Sequence, residues 1–191
     1  MELHPTLWRT CRALAGKTRL RLFRLVVDFP GQSVSELADQ AGIGCSLASQ
    51  ELRRLQSRGL LQSLRKGPFV QYLPGPDPQV PDARPILSAM KTTFARFTPA
   101  ADKHIHRIAA ALSHPRRIAI LRELLNGPRN IHALQTSLRI PIRTLYHHLQ
   151  TLQDGHMIRQ NRMVFRPVRN PHPLAKCLAD LVRASDYSKP N

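Results

Sequence analysis

The sequence contains one structural unit twice. The segment ALAGKTRLRLFRLVV, residues 13–27, aligns with ALSHPRRIAILRELL, residues 111–125, and apolar residues recur at matching positions, as Leu20 with Ile118. The match continues beyond these segments after one residue is lost from the second copy. Because self-similarity of this kind is typical of a duplicated supersecondary unit, the repeat predicts two similar domains in one chain.

Each copy predicts the same helices in the same order. Residues 19–27 and 117–125 carry apolar side chains at helical spacing, and both runs end at a Pro/Gly breaker. In the first copy a second helix follows, with Ser33 or Ser35 as its N-cap, and a third helix covers residues 46–57. Two helices joined by a tight turn, the second with a polar outer face, form the helix-turn-helix arrangement that enters a DNA major groove.

A β-hairpin is predicted after the third helix of each copy. In the first copy, residues 60–64 and 69–73 are short apolar runs separated by the basic turn Arg65-Lys66-Gly67-Pro68. In the second copy the hairpin covers residues 157–168 and turns near residues 160–162. A basic hairpin at this place is a wing. The expected fold is therefore mainly α with small β-hairpins, as two tandem winged helix-turn-helix domains.

The segment between the copies contains four prolines in residues 72–81, which exclude regular structure there and predict a semi-rigid linker. A further helix is expected to open at Thr98-Pro99 and to end at Leu112. We expect the helices outside the winged units to pack the two copies together. The predicted organisation is a first domain at 1–73, a linker at 74–81, a connecting helix at 82–98 and a second domain at 99–191, which ends in a packing helix over 173–184.

The charge of the chain indicates a polyanionic partner. There are 29 Lys and Arg residues against 12 Asp and Glu, a formal charge of +17. No apolar run approaches the roughly 20 residues that span a bilayer, and the first residues lack the pattern of a signal peptide, so no membrane partner is expected. Aromatic platforms for single-stranded RNA are not evident either. Double-stranded DNA is the expected partner, in a cytoplasmic, nucleoid-associated protein.

The second copy resembles the ArsR-type winged helix-turn-helix regulators. The resemblance is carried by TLYHHLQTLQDGHMI, residues 144–158, and LSHPRRIAILREL, residues 112–124; ASQELRRLQSRGLL, residues 48–61, is a looser match. It implies a transcriptional repressor of the kind that forms homodimers through its terminal helices and responds to metals or other signals. The resemblance therefore implies that this chain corresponds to such a dimer within one polypeptide, an intramolecular pseudo-dimer. The effector and any further homodimerisation stay open.

The outward residues of the two third helices differ, so the two helices read different sequences and an asymmetric operator is expected. Arg and Gln can make bidentate contacts to guanine and adenine respectively. The predicted DNA-binding residues are Ser46, Ser49, Gln50, Arg53, Arg65 and Lys66 in the first copy, and Arg143, Thr144, Tyr146, His147, Gln150, Arg159 and Arg162 in the second.

One alternative to DNA binding is a tandem winged-helix scaffold that binds proteins in a chromosome-associated complex. A scaffold is expected to lack basic residues on the third helix and the wing, whereas both copies carry them. We expect no enzyme and no cofactor, because no nucleophile–base arrangement, phosphate-binding glycine loop or paired acidic motif is found.

No metal site is expected. The thiolate site that the resemblance implies needs cysteines after the Glu-Leu of the second helix, where this chain has Ala38 and Gln40, with Gln135 and Ser137 in the second copy. Near the terminal helix His172 lies off the face shared by Cys177 and Asp180. His147 is predicted to face DNA and His148 to pack inward, while His104 and His106 are predicted to lie on an exposed helix face. The three cysteines are predicted to be buried thiols: Cys11, Cys45 and Cys177. The alternative for Cys45 is a redox-active thiol.

Overall fold

A computed structural model of the chain describes residues 7–184. Within that range the protein is mainly helical, with ten α-helices and two small antiparallel sheets. The predicted class, mainly α with small β-hairpins, is confirmed. The same order of elements is found in both halves of the chain.

In the first half, four helices are followed by a hairpin and a longer helix. They are α1 (Leu7–Leu14), α2 (Lys17–Asp28), α3 (Val34–Ala41), α4 (Cys45–Gln56), β1 (Leu61–Lys66), β2 (Phe69–Pro74) and α5 (Ala83–Arg96). Helix α1 was not predicted, although its counterpart in the second half was.

The second half begins with a 3-10 turn at Pro99–Ala101 and repeats the series. Its elements are α6 (Asp102–Ala111), α7 (Pro115–Leu125), β3 (Arg129–Asn130), α8 (Ile131–Leu138), α9 (Ile142–Asp154), β4 (Ile158–Asn161), β5 (Val164–Pro167) and α10 (Pro173–Ala184). The short strand β3 adds a third strand to this hairpin by pairing with β5.

The helices that precede α4 and α9 are capped in the same way. Ser33, and not Ser35, is the N-cap of α3, because its side chain accepts from the backbone N–H of Glu36 in a capping box. Asn130 caps α8 by accepting from a backbone N–H at 2.8 Å. Both helices end in the left-handed region, at Gly42 with φ 63° and at Arg139 with φ 51°. That conformation costs arginine more than glycine.

The first hairpin is longer than the sequence indicates. Pro74 pairs with Leu61, so the prediction that no regular structure occurs in residues 72–81 is wrong for the last three residues of β2. A proline is tolerated at such a strand end because its missing N–H is not needed by the ladder. The turn is restricted to Gly67 and Pro68, since Arg65 and Lys66 are still paired strand residues.

The segment after this hairpin is fixed against the end of α4. The N–H of Asp77 donates to the carbonyl of Gly59 at 3.0 Å, and Val80 is buried. Gly59 has φ 70°, and a Cβ on it would lie 2.9 Å from the Val80 side chain, so both backbone and space require glycine. In the second half His156, with φ 52°, takes the left-handed position.

The two halves contact each other through equivalent helices. Helix α1 packs against α6, and α5 packs against α10. The buried apolar side chains of both halves belong to one hydrophobic cluster. Since the cluster crosses the boundary between the halves, their relative position is set by core packing.

A buried arginine joins α2 to the helices at this boundary. Arg24 is 5% exposed, donates to the carbonyl oxygens of Phe94 at 3.3 Å and Phe97 at 3.1 Å, and forms a two-pronged ion pair with Asp102. Its guanidinium lies 4.3 Å from the centre of the Phe94 ring. One side chain of the first half therefore links α2 to α5 and to the start of α6.

Candidate nucleic-acid interface

Helix α4 presents its predicted contact residues to solvent. Ala48, Leu52 and Leu55 are buried and hold the inner face against the core. The outer face carries the predicted residues: Ser46, Gln50 and Arg53 are exposed and Ser49 is half-buried. A single apolar stripe on a helix leaves the opposite side free for a ligand, so α4 can present these residues to DNA.

Arg53 lies where α4 meets the hairpin. Its guanidinium is beside the hydroxyl of Tyr72, a buried residue of β2. Burial raises the pKa of Tyr72, and the charge of Arg53 offsets part of that rise. The contact holds the guanidinium of Arg53 near the hairpin, while the residue remains exposed to solvent.

Helix α9 has the same two-sided arrangement. Leu145, Leu149 and Leu152 are buried on its inner face, together with His148 as predicted. On the outer side, half-buried Thr144 flanks the exposed residues Arg143, Tyr146, His147 and Gln150.

Gln150 is already engaged within its own helix. Its side-chain amide donates to the carboxylate of Asp154 at 2.8 Å. While this bond is made, only the second amide N–H and the amide oxygen can bind an adenine edge, and the orientation of the amide is restricted by Asp154. Arg143 forms no such bond among residues 7–184, so it is the more available of the two predicted base-reading side chains of α9.

The two hairpins are cationic projections. Arg65 and Lys66 are exposed at the end of β1, Arg159 is exposed on β4, and Arg162 is exposed at the turn with φ 53°. Neither hairpin contains an Asp or Glu residue. Because no carboxylate competes for these cations within the hairpins, they are free to pair with phosphate groups.

The structure groups the predicted residues by half. In the first half the side-chain amide of Gln56 at the end of α4 donates to the Ser63 hydroxyl of β1 at 2.9 Å. In the second half α9 packs against β4. Since α4 packs on α2 and α3, and α9 on α6, α7 and α8, the residues form two separate surfaces, each with one helix and one hairpin.

Comparison with known proteins assigns no function to these two surfaces. Neither a protein-family model nor a curated protein sequence matches the chain. A function for these surfaces therefore has to be inferred from their residues and geometry.

Sequence reasoning missed Arg139, an exposed residue in the turn between α8 and α9. It occupies the left-handed position that Gly42 holds in the first half. The alignment of the two copies contains this signal, because Arg139 stands directly before Ile140 as Gly42 stands before Ile43. Arg139 adds a positive charge at the start of the α9 surface.

Exposed apolar side chains were also missed, and they lie on the same two surfaces. Phe69 is 57% exposed on the first hairpin and Met163 is 67% exposed on the second. Leu47 and Ile142 are exposed on the first turns of α4 and α9, and Leu64 on β1. Apolar side chains here can contact thymine methyl groups or a protein partner.

Several predictions for cysteine and histidine residues need correction. Cys45 is exposed, because the buried face of α4 begins one turn later, at Ala48. Cys11 is buried as predicted, whereas Cys177 is only half-buried; burial raises the pKa of Cys177 to about 11. His104 is exposed, but His106 is half-buried and does not belong to an exposed face.

Residues 7–184 contain no group of three or more His, Cys, Asp or Glu side chains that could hold a metal ion. None of the helices in this part of the chain is long and apolar enough to cross a membrane.

The buried polar residue on the third helix of each unit differs between the halves. In the first half Glu51 of α4 accepts from Arg19 at 2.6 Å and also pairs with Arg54. In the second half the aligned residue is His148, which is 5% exposed. Its ring centre lies 4.8 Å from that of His114, and neither of its ring nitrogens has a hydrogen-bond partner in the described range.

The charge state of His148 follows from this environment. Burial is the main cause that lowers the pKa of His148, to about 4, and the nearby positive groups of His114 and Arg117 lower it further. His148 is therefore neutral near pH 7. Protonation places a charge among cationic neighbours.

We expect the free energy of unfolding to fall by about 2 kcal/mol between pH 7.5 and pH 5 because of His148. The unfolded chain takes up a proton near the ordinary pKa of 6.5, whereas the folded chain does so only near 4. The contribution of neutral His148 to the free energy of unfolding is thus fully present above pH 6.5 and is lost as the pH falls toward 4. Urea unfolding at both pH values measures the change.

A matched pair of variants isolates this effect. His148→Leu should reduce the pH dependence, while His132→Leu, which changes an exposed histidine, should leave it as in the unmodified chain. If His148→Leu and the unmodified chain show the same pH dependence of the free energy of unfolding, His148 is not its cause.

Proposed function

We propose that this protein is a sequence-specific regulator of transcription that binds double-stranded DNA through two tandem winged helix-turn-helix domains. One observation carries the proposal: in each half, an exposed helix face stands beside a cationic hairpin that has no acidic residue. A net charge of +17 supports an anionic partner. The helix would enter the major groove, and the hairpin would hold the flanking phosphates.

The packing of equivalent helices supports a pseudo-dimer. Contacts of α1 with α6 and of α5 with α10 are what an interface made from the same surface of two copies contains. In this proposal the two reading helices are held at a fixed spacing within one chain. By its resemblance to the ArsR-type regulators, we infer that the protein represses transcription by occupying its operator. The proposed role is DNA binding alone and involves no enzymatic activity.

Two different reading surfaces predict an asymmetric operator. Arg53 of α4 aligns with Gln150 of α9, and Ser46 with Arg143, so the halves offer different hydrogen-bonding groups to bases. Selection from random DNA duplexes should therefore enrich a site whose two halves differ. Enrichment of perfect inverted repeats alone contradicts this part of the proposal.

Salt dependence tests the DNA contacts. Six basic residues of the candidate surfaces, Arg53, Arg65, Lys66, Arg143, Arg159 and Arg162, would release about one counterion each. If all six contact phosphates, the slope of log K against log salt is about −5, and affinity falls roughly a thousandfold from 50 to 200 mM salt. Fluorescence anisotropy on the selected duplex measures this slope.

The exposed apolar side chains favour one other candidate, a protein-binding scaffold. Leu64 and Phe69 on the first hairpin and Met163 on the second are the kind of residues that a protein partner would cover. A shallow salt slope together with no enriched sequence would select this candidate over DNA binding. Steep dependence with an enriched sequence selects DNA binding.

A further inference from the structure

A second basic feature lies away from the hairpins, in a groove between α1 and the C-terminal end of α4. The groove has a volume of about 560 Å³. Its lining combines one aromatic ring with five guanidinium groups. The residues are Trp8, Arg9, Arg12, Arg19, Arg54 and Arg58, with small residues between them. We call it the arginine groove.

The arginine groove carries an excess of positive charge. Two of its arginines, Arg19 and Arg54, share the carboxylate of Glu51. Arg9 lies 5.1 Å from the centre of the Trp8 ring. Arg9, Arg12 and Arg58 have no ion pair with any carboxylate of the described residues.

The pKa of Arg58 reflects the closeness of these positive charges. Burial lowers its pKa, and the charge of Arg9 lowers it further. Like charges brought together at a partly buried place repel one another unless an anion neutralises them. The arrangement is therefore one that a bound anion would stabilise.

The equivalent place in the second half is closed and carries fewer arginines. In the alignment of the two copies, Ala110, Thr151 and Gly155 stand in place of Arg12, Arg54 and Arg58, whereas Arg9 and Arg19 have arginine counterparts in Arg107 and Arg117. A Cβ on Gly155 would lie 2.5 Å from the Cβ of Ala111, so α6 and α9 touch where α1 and α4 leave a gap. The gap and three of its five arginines, Arg12, Arg54 and Arg58, are thus particular to the first half and are not a product of the duplicated fold.

We propose that the arginine groove binds a small molecule that carries several phosphate charges, such as a polyphosphate or a phosphorylated metabolite. The planar guanidinium group matches phosphate oxygens with two parallel hydrogen bonds, which makes arginine the preferred residue for such groups. Trp8 offers an apolar surface to any ring attached to the phosphates. The groove is large enough for a ligand of this size.

The DNA backbone is the other source of phosphate, and the position of the groove disfavours it. Helix α4 has 12 residues and is about 18 Å long. Of the residues proposed to read bases, Ser46, Ser49 and Gln50 lie in its first half, and Arg53 contacts Tyr72 of the hairpin, whereas the groove lies at its C-terminal end beside α1. The groove also adjoins α1, which packs on α6.

A ligand bound in the arginine groove would act on the contact between the two halves. This regulatory role rests on the proposed DNA binding, whereas the anion site itself does not depend on it.

Calorimetric titration of the full chain with inorganic tripolyphosphate tests the site. We expect one equivalent to bind and Arg12→Gln with Arg58→Gln to weaken binding at least tenfold. The control, Arg84→Gln with Arg96→Gln, removes the same charge from exposed positions on α5 and should leave affinity unchanged. Equal weakening in both double variants would show general charge attraction and overturn the proposal. Arg12→Gln alone, at an exposed position, serves if the double variant does not fold.

A DNA titration of the same variants separates the two sources of phosphate. If Arg12→Gln with Arg58→Gln loses duplex affinity more than the control and keeps its tripolyphosphate affinity, the groove contacts the DNA backbone and the small-molecule site is wrong. If the unmodified chain binds no duplex but still binds tripolyphosphate through Arg12 and Arg58, the anion site stands and only the proposed function fails.

Discussion

Replacing Arg53 and Arg143 together by glutamate should reduce affinity for the selected duplex by at least a hundredfold. Each replacement removes a cation from the outer face of α4 or α9 and, in the proposed complex, places a carboxylate against phosphates or base edges. A bidentate base contact is worth about 1–3 kcal/mol, so the loss of two contacts alone gives a factor of about thirty to twenty thousand. Repulsion between the new carboxylates and DNA adds to it.

The fold should survive this double replacement, because both arginines are exposed. Arg143 lies in the first turn of α9, where an acidic side chain interacts favourably with the helix dipole. Circular dichroism should show unchanged helical content, and fluorescence anisotropy measures the affinity. The matched control is Arg84→Glu with Lys91→Glu on α5, which makes the same change of charge away from both surfaces. Equal losses in the two double variants would mean that net charge, and not the reading helices, controls binding.

Arg24→Met should lower the free energy of unfolding by about 3 kcal/mol. The replacement leaves Asp102 and two carbonyl oxygens without their donor in a largely buried setting, and removal of one partner of such a pair is strongly destabilising. The methionine retains much of the apolar contact with Phe94. Urea unfolding followed by circular dichroism measures the loss.

Two further variants give this prediction its control. Arg21→Met changes a neighbouring exposed arginine that donates to the carbonyl of Gln40 at 3.1 Å, and it should cost less than about 1 kcal/mol. Adding Asp102→Asn to Arg24→Met should recover part of the loss, because the uncompensated charge is then removed. A loss for Arg24→Met no larger than that for Arg21→Met would show that the ion pair does not hold the halves together.

The order of elements was largely predictable because apolar spacing and breakers are local signals. The α10 bounds, 173–184, agree with those expected, and the connecting helix, expected at 82–98, is found at Ala83–Arg96. Helix α1 was missed, since its eight residues are short and lie next to a segment taken for a single helix. The cap of α3 needed coordinates, because Ser33 and Ser35 are equally suitable by residue type.

The turn after α9 shows why a glycine can mislead. The sequence indicates that Gly155 makes this turn, by comparison with Gly59. In the structure His156 takes the positive φ, and Gly155 is needed because the Ala111 side chain lies against it. Contact between α6 and α9 is a tertiary requirement that no local pattern contains.

The sequence by itself determined that two similar helical units follow each other and that polar and basic residues occupy the outward positions of their third helices and hairpins. Periodicity decides this, since it specifies which side of each element leaves the core. Only the tertiary structure decided how the halves join through Arg24 and which backbones approach closely. It also decided that Arg12, Arg54 and Arg58 meet in one groove. These features depend on contacts between residues far apart in the chain, and their geometry is set when the helices pack.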